Sequence, residues 1–211
     1  MPNLLFLDVD GVLNSNQFHA DWIQKNKRLY DNLDDCEREA IYLENKFDSL
    51  FVNVTTSPFF NGYIAPTNLN RFNHMMKILG DTVQIVFSSD WRFIQDGTYS
   101  DVASLDKIKE LFAVRGISGN VIGATPFVYP PNRGKEIAMY LNEHREEYKY
   151  DFAKVLVLDD LDVYNSIIEN LDENFNGAVF HCWIGSEYGL TADCVGLAFR
   201  YFGIMGDYKN D

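Results

Sequence analysis

Three apolar runs stop on residues that could do chemistry. "LLFLDV" carries Asp8 and leads into Asp10 and Gly11, "VQIVFSS" ends on Ser88 and Ser89, and "KVLVLDD" ends on Asp159 and Asp160, with Asp162 close behind. A basic pair, Arg133 and Lys135 in "RGKEI", precedes the last of these runs. Asp and Gly are ordinary turn residues, so any one of these endings has a bland explanation. Together they do not. At about 4 Å each like-charged pair among four carboxylates would cost roughly 4 kcal/mol at an effective dielectric near 20. Asp8, Asp10, Asp159 and Asp160 can share a small site as anions only around a cation. An all-oxygen ligand set selects a hard divalent ion, with Mg²⁺ the natural choice.

The elements that must position these residues can be read from periodicity. The runs at 4–9, 83–89, 154–160 and 177–183 are of strand length, rich in Val, Ile, Leu and Phe, and alternate little. That pattern suits strands covered on both faces of a parallel sheet. "NVIGAT" at 120–125 is a weaker fifth strand. Between them, "NLNRFNHMMKILG", "SLDKIKELFAVRG" with Ser104 as its cap, and "RGKEIAMYLNEHREEY" carry apolar residues at helical spacing, and "GLTADCVGLAFRYFG" reads as a core-facing helix. Strands alternating with helices predict a doubly wound α/β fold, in which ligands bind beyond the carboxyl ends of the strands. The section from 15 to 64 breaks the alternation. It is acidic and helical in character around "DNLDDCEREAIYLENKFDSLF", then irregular. Residues 1–14 and 65–211 are therefore expected to form the core, and 15–64 a small cap inserted after the first strand.

"FLDVDGVLN", the Ser that ends "IVFSS", the cation opening "RGKEI" and the acidic pair of "VLVLDD" resemble, in order, the four motifs of the haloacid dehalogenase (HAD) superfamily of phosphotransferases. The resemblance covers roughly residues 3–14 and 66–200. More narrowly, "SSDWR", "VIGATP", "RGKEI", "LDD" and "GLT" look like the phosphatase-like branch found in RNA-repair proteins and their stand-alone relatives. It implies a parallel sheet of strand order 3-2-1-4-5 and a Mg²⁺-dependent phosphomonoester hydrolase.

Carried onto this chain, the resemblance makes Asp8 the nucleophile that forms an aspartyl-phosphate and Asp10 the general acid and base. Gly11 would let the backbone turn beside the phosphate. Asp8, the Asp10 backbone carbonyl and Asp159 would ligate the metal, with Asp160 a further ligand or the group that orients one. Ser88 would donate to a phosphoryl oxygen, with Ser89 beside it, and Arg133 or Lys135 would balance the transferring charge. Arg92 is either a phosphate contact one turn past Ser88 or half of a buried pair with Trp91. Asp162 either reaches the metal or caps the following helix. Dehalogenating relatives lack an acid at the second aspartate, because a halide leaves without a proton; Asp10 therefore points to phosphoryl transfer.

The formal net charge of −13 repels polyanions in the mean, which favours a small phosphorylated metabolite or nucleotide over a nucleic-acid end. Lys25, Lys27 and Arg28 form a local basic cluster that keeps the nucleic-acid end as the alternative, and a non-catalytic phosphatase-like binding module is a second class. The cysteines Cys36, Cys182 and Cys194 lack metal-ligand spacing and read as reduced thiols. His19, His74, His144 and His181 are scattered, without partners at ligand spacing. No run is long enough for a membrane span or a signal peptide, so the chain reads as soluble and cytoplasmic.

Overall fold

The computed structural model describes residues 3–25, 64–92, 102–144, 154–173, 175 and 177–204. Five strands, β1 (Asn3–Leu7), β2 (Val83–Phe87), β3 (Asn120–Ala124), β4 (Lys154–Asp159) and β5 (Ala178–Trp183), form one sheet. All pairings are parallel and the order is β3-β2-β1-β4-β5, as expected.

Period-two alternation inside β1 shows why its run is apolar throughout. Leu5 and Leu7 face one core and Leu4 and Phe6 the other, and all four are fully buried. The first core is closed by α2 (Pro66–Leu79), α3 (Leu105–Arg115) and α6 (Ala192–Phe202), through Phe72, Met75, Leu111, Phe112 and Phe199. The second is closed by α4 (Arg133–Glu143) and α5 (Tyr164–Asn170), through Ile137, Leu141 and Ile167. Helices on both faces make the sheet doubly wound.

Local signals set the helix ends. Ser104 accepts from the Lys107 N–H at 3.4 Å to open α3, and Gly116 closes it in the left-handed region at φ 67°. Helix α2 starts earlier than its apolar stripe suggests, because Pro66 at the first turn is pre-set for helix. Asp162 does not cap α5. Val163 occupies the N-cap without a side-chain cap bond, and Asp162 is exposed one residue earlier.

Helix α1 (Asn16–Lys25) leaves directly from the end of the loop after β1. Its first N–H groups donate to Ser186 and Glu187 carbonyls at 2.9 and 3.1 Å, tying it to the loop after β5. Residues 26–63, which hold most of the expected cap together with Lys27, Arg28 and Cys36, lie outside the described residues. Among the described residues, no helix is long and apolar enough to cross a membrane.

Candidate active site

Strand register brings the motif residues together. Leu7 pairs with Phe87 on one side and Leu158 on the other. The ladder continues one residue further: the Asp8 N–H donates to the Leu158 carbonyl at 3.0 Å and the Ser88 N–H to the Leu7 carbonyl at 2.9 Å. Asp8 therefore stands between Ser88 and Asp159, where strand order reverses between β1 and β4. Each of the three is at most 4% exposed.

Beyond Asp8 the chain folds into a tight loop. The Val9 carbonyl accepts from the N–H groups of Val12, Leu13 and Asn14 at 3.2, 2.9 and 3.3 Å, and Val9, Val12 and Leu13 plug into the core below. Gly11 is at φ 74°, a conformation that side chains other than glycine's disfavour. Asn14 clasps this loop, accepting from the Gly11 N–H at 2.6 Å and donating through Nδ2 to Asp10 Oδ1 at 3.0 Å.

Carboxylate oxygens of Asp8, Asp159 and Asp160 lie within 4.8 Å of one another. Burial pushes the Asp8 carboxyl well above its ordinary range; Arg133 opposes this, and Asp159 and Asp10 add to it. Burial also raises Asp159 to about 6, against the pull of Arg133 and of the Leu161 N–H that donates to its Oδ1 at 2.9 Å. Asp160, half-buried, is raised by burial and by Asp10. Asp159 is fully buried, and its Oδ2 has no hydrogen-bond partner among the described residues. An orphaned buried acceptor beside two more carboxylates fits a divalent cation with oxygen ligands, since a buried anion needs a partner.

Arg133 opens α4, where Asn132 caps the helix by accepting from the Lys135 N–H at 2.9 Å. The Arg133 guanidinium donates to the Ser88 carbonyl and reaches Asp90 Oδ1 at 3.0 Å. Burial works against its charge, but Asp8, Asp159, Asp90 and Glu136 together prevail and push its pKa up. Lys135 is exposed, two positions along the same turn. Gly134 is required by packing: a methyl group there would lie 2.6 Å from Ser166 Cβ and 2.8 Å from the Val163 carbonyl, so glycine lets α4 approach the start of α5.

The hydroxyls differ in surroundings. Ser88 Oγ is buried with no hydrogen-bond partner among the described residues, which suits a group kept for a ligand. Ser89 is fully buried, its hydroxyl bonds Asp8, and it accepts from the Trp91 N–H at 3.4 Å. Arg92, 1% exposed, donates to the Ser89 carbonyl at 2.8 Å and pairs with Glu136 Oε2 at 2.6 Å. That contact makes Arg92 part of a buried ion pair whose acid, Glu136, the sequence reading did not single out. The signal was present: Glu136 falls on the apolar face of α4, three residues after Arg133.

Three further residues, Trp91, Asn14 and Trp183, make contacts at the site that the sequence does not announce. Trp91 Nε1 lies 3.2 Å from each Asp10 carboxylate oxygen, and Asn14 holds the same carboxylate. "SSDWR" carries part of the resemblance to the RNA-repair branch and sets Trp91 beside Arg92, but nothing local says that this indole will meet Asp10, 81 positions away. Trp183, at the end of β5 opposite Asp159, is 67% exposed and donates through Nε1 to the Asp160 carbonyl at 2.7 Å. Cys182 and Cys194 are free thiols.

The chain matches no curated protein and no solved structure. Residues 4–195 match the family described as the HAD domain in Swiss Army Knife RNA repair proteins. With nearly the whole chain spanned, the acids of β1 and β4 at one sheet edge and the 3-2-1-4-5 sheet in place, the protein belongs to this family of HAD domains.

Proposed function

We propose that the protein is a Mg²⁺-dependent phosphomonoester hydrolase that works through an aspartyl-phosphate on Asp8. The observation that carries this reading is the Asp8, Asp159 and Asp160 cluster, set beside an unpartnered buried Ser88 hydroxyl and the Arg133 guanidinium. Asp8, Asp159 and the Asp10 backbone carbonyl would hold the metal, with Asp160 as a further ligand. When bound, the ion neutralises the acids and polarises the phosphoryl group.

In the first half-reaction an Asp8 oxygen attacks phosphorus while the ester P–O bond breaks, and Asp10 gives its proton to the departing alkoxide. In the second, Asp10 takes a proton from water, the resulting hydroxide attacks phosphorus, and the bond to Asp8 breaks to release phosphate. Ser88 donates to a phosphoryl oxygen, and Arg133 faces the charge that spreads over the transferring group. Arg133 takes the cation role because its charge acts on Asp8, Asp159 and Asp160. The Ser89 hydroxyl and Arg133 favour the charged, nucleophilic form of Asp8.

For the substrate, the net charge of −13 supports a small phosphorylated metabolite or nucleotide. Trp183 favours a base-bearing substrate in particular, since an exposed indole anchored to Asp160 offers a stacking face beside the acids. The same observation, with the family's occurrence in RNA repair proteins, supports a nucleic-acid end phosphate as the second reading.

The test is phosphate release from a panel of phosphorylated metabolites, mononucleotides and 3′- or 5′-phosphorylated oligonucleotides, with Mg²⁺ and with EDTA, for wild type and Asp8→Asn. Turnover that needs both Asp8 and metal and is best on mononucleotides is expected. An oligonucleotide that outcompetes every small ester, with a rate that falls steeply with salt, replaces the small-molecule reading with the second one. No turnover above Asp8→Asn on any compound leaves a binding module.

A further inference from the structure

We propose that Trp91 is a positioning residue for proton transfer, acting with Asn14 to hold the Asp10 carboxylate in one orientation through both half-reactions. The inference rests on the phosphatase reading above.

Asp10 must give a proton to one oxygen and later take a proton from another without leaving the reaction line. A carboxylate on a loop is free to rotate about its side-chain torsions unless something fixes its plane. Here the indole N–H is 3.2 Å from both Oδ1 and Oδ2, a bifurcated contact aimed between the two oxygens. Asn14 Nδ2 adds a bond of 3.0 Å to Oδ1 alone, which fixes the roll of the carboxylate about that axis. The Asn14 amide cannot be flipped, because its Oδ1 accepts from the Gly11 N–H at 2.6 Å and a backbone N–H can only donate.

Trp91 is itself immobilised. It is fully buried, its backbone N–H donates to Ser89 Oγ, and the Arg115 guanidinium lies 5.2 Å from its ring centroid. An indole N–H has no acceptor capacity, so it cannot take the proton that Asp10 carries. It supports the negative charge that remains on Asp10 after the leaving group is protonated and keeps the acid aimed for the water that follows. The loop of β2 thereby aligns a residue of the β1 loop that it does not adjoin in sequence.

The experiment compares kcat/KM for an alkyl phosphate and for p-nitrophenyl phosphate in wild type, Trp91→Phe and Asn14→Ala. kcat/KM reports the step up to transfer onto Asp8. An alkoxide needs a proton to leave, whereas p-nitrophenolate scarcely does. Trp91→Phe keeps the buried ring and removes the donor. The alkyl ester should lose roughly 10–100-fold, part of the 10²–10⁴ that positioned proton transfer contributes, and the aryl ester less than about threefold. Asn14→Ala, at a partly exposed position, should show the same skew and carries the test if Trp91→Phe does not fold. Equal losses on both esters mean that Trp91 only supports the fold, and overturn the inference while leaving the phosphatase reading intact. A wild-type protein that turns over neither ester in an Asp8-dependent way overturns both.

Discussion

A methyl group added at Gly11 would lie 2.3 Å from Oδ2 of Asp160, so the β1 loop and the β4 loop touch at a point where no side chain fits. The same residue is at φ 74°, so alanine would bring both backbone strain and a displaced Asp160. Gly11→Ala should weaken Mg²⁺ binding by roughly 10–100-fold, as removal of groups that orient metal ligands does. Isothermal titration of the metal-free protein measures this, with the thermal midpoint as control. Unchanged affinity would mean that Asp160 has no part in holding the ion.

Arg133 and Lys135 separate cleanly by substitution. Arg133→Ala should lower kcat by roughly 10²–10³, the loss seen when one preorganised stabiliser of developing charge is removed. Lys135→Ala should stay close to wild type, since Lys135 is exposed and it is Arg133 whose charge acts on Asp8. The reverse ranking in a steady-state assay would transfer the role to Lys135.

The buried acids also make stability depend on pH and metal. A carboxyl whose pKa is higher in the folded state binds its proton more tightly there. Its stabilising contribution is present below the unfolded value near 3.9 and is lost as pH rises through the folded one. For Asp159 that window closes at about 6. The metal-free protein should therefore lose thermal stability between about pH 4 and pH 6. Mg²⁺ should add little below this window. Above it the gain should approach about 2.7 kcal/mol at a hundredfold excess over Kd. Thermal melts with Mg²⁺ or EDTA from pH 4 to 8 read both effects, and Asp159→Asn should flatten both. A metal-free protein that gains stability across the window would contradict the acid cluster.

Arg92 and Glu136 form a pair that is 1% and 3% exposed, linking the turn after β2 to α4. Burial lowers the Arg92 pKa to about 10, with Glu136 among the charges that oppose the shift. Glu136→Ala removes the nearest acid from a buried cation and should cost about 3–5 kcal/mol, read from the urea midpoint. Glu136→Gln, which keeps the acceptor for the Val128 N–H, should cost less. A loss under about 1 kcal/mol would show that Arg92 relaxes onto other groups.

The sheet and the acids at its edge were legible because their signals are local. Four strand runs announce themselves by composition and the fifth, "NVIGAT", more weakly, and Asp8, Ser88 and Asp159 each sit one step beyond an apolar stretch or at its last residue. In a parallel α/β sheet that position has one meaning, the carboxyl edge where ligands bind. Ser104 and Gly116 bounded their helix for the same reason, since caps are chosen by the adjacent backbone.

What was not legible depends on partners far along the chain. Asp162 looked like a cap by type, yet the backbone put Val163 at that position. Arg92 meets Glu136 across 44 residues, and Trp91 meets Asp10 across 81. No periodicity encodes which side chain will face which across a sheet edge.

By itself, then, the sequence determined the alternation of strands and helices, the apolar runs buried on both faces, and a set of acids, hydroxyls and cations at strand ends, because these follow from short-range pattern and burial. Only the tertiary structure decided that Arg133 rather than Lys135 turns its charge on Asp8, that Gly11 must be bare beside Asp160, and that an indole holds Asp10. Those outcomes follow from strand register and from the angle at which α4 and the β2 loop pack over the edge of the sheet. They are geometric facts about residues that are neighbours only once the chain has folded.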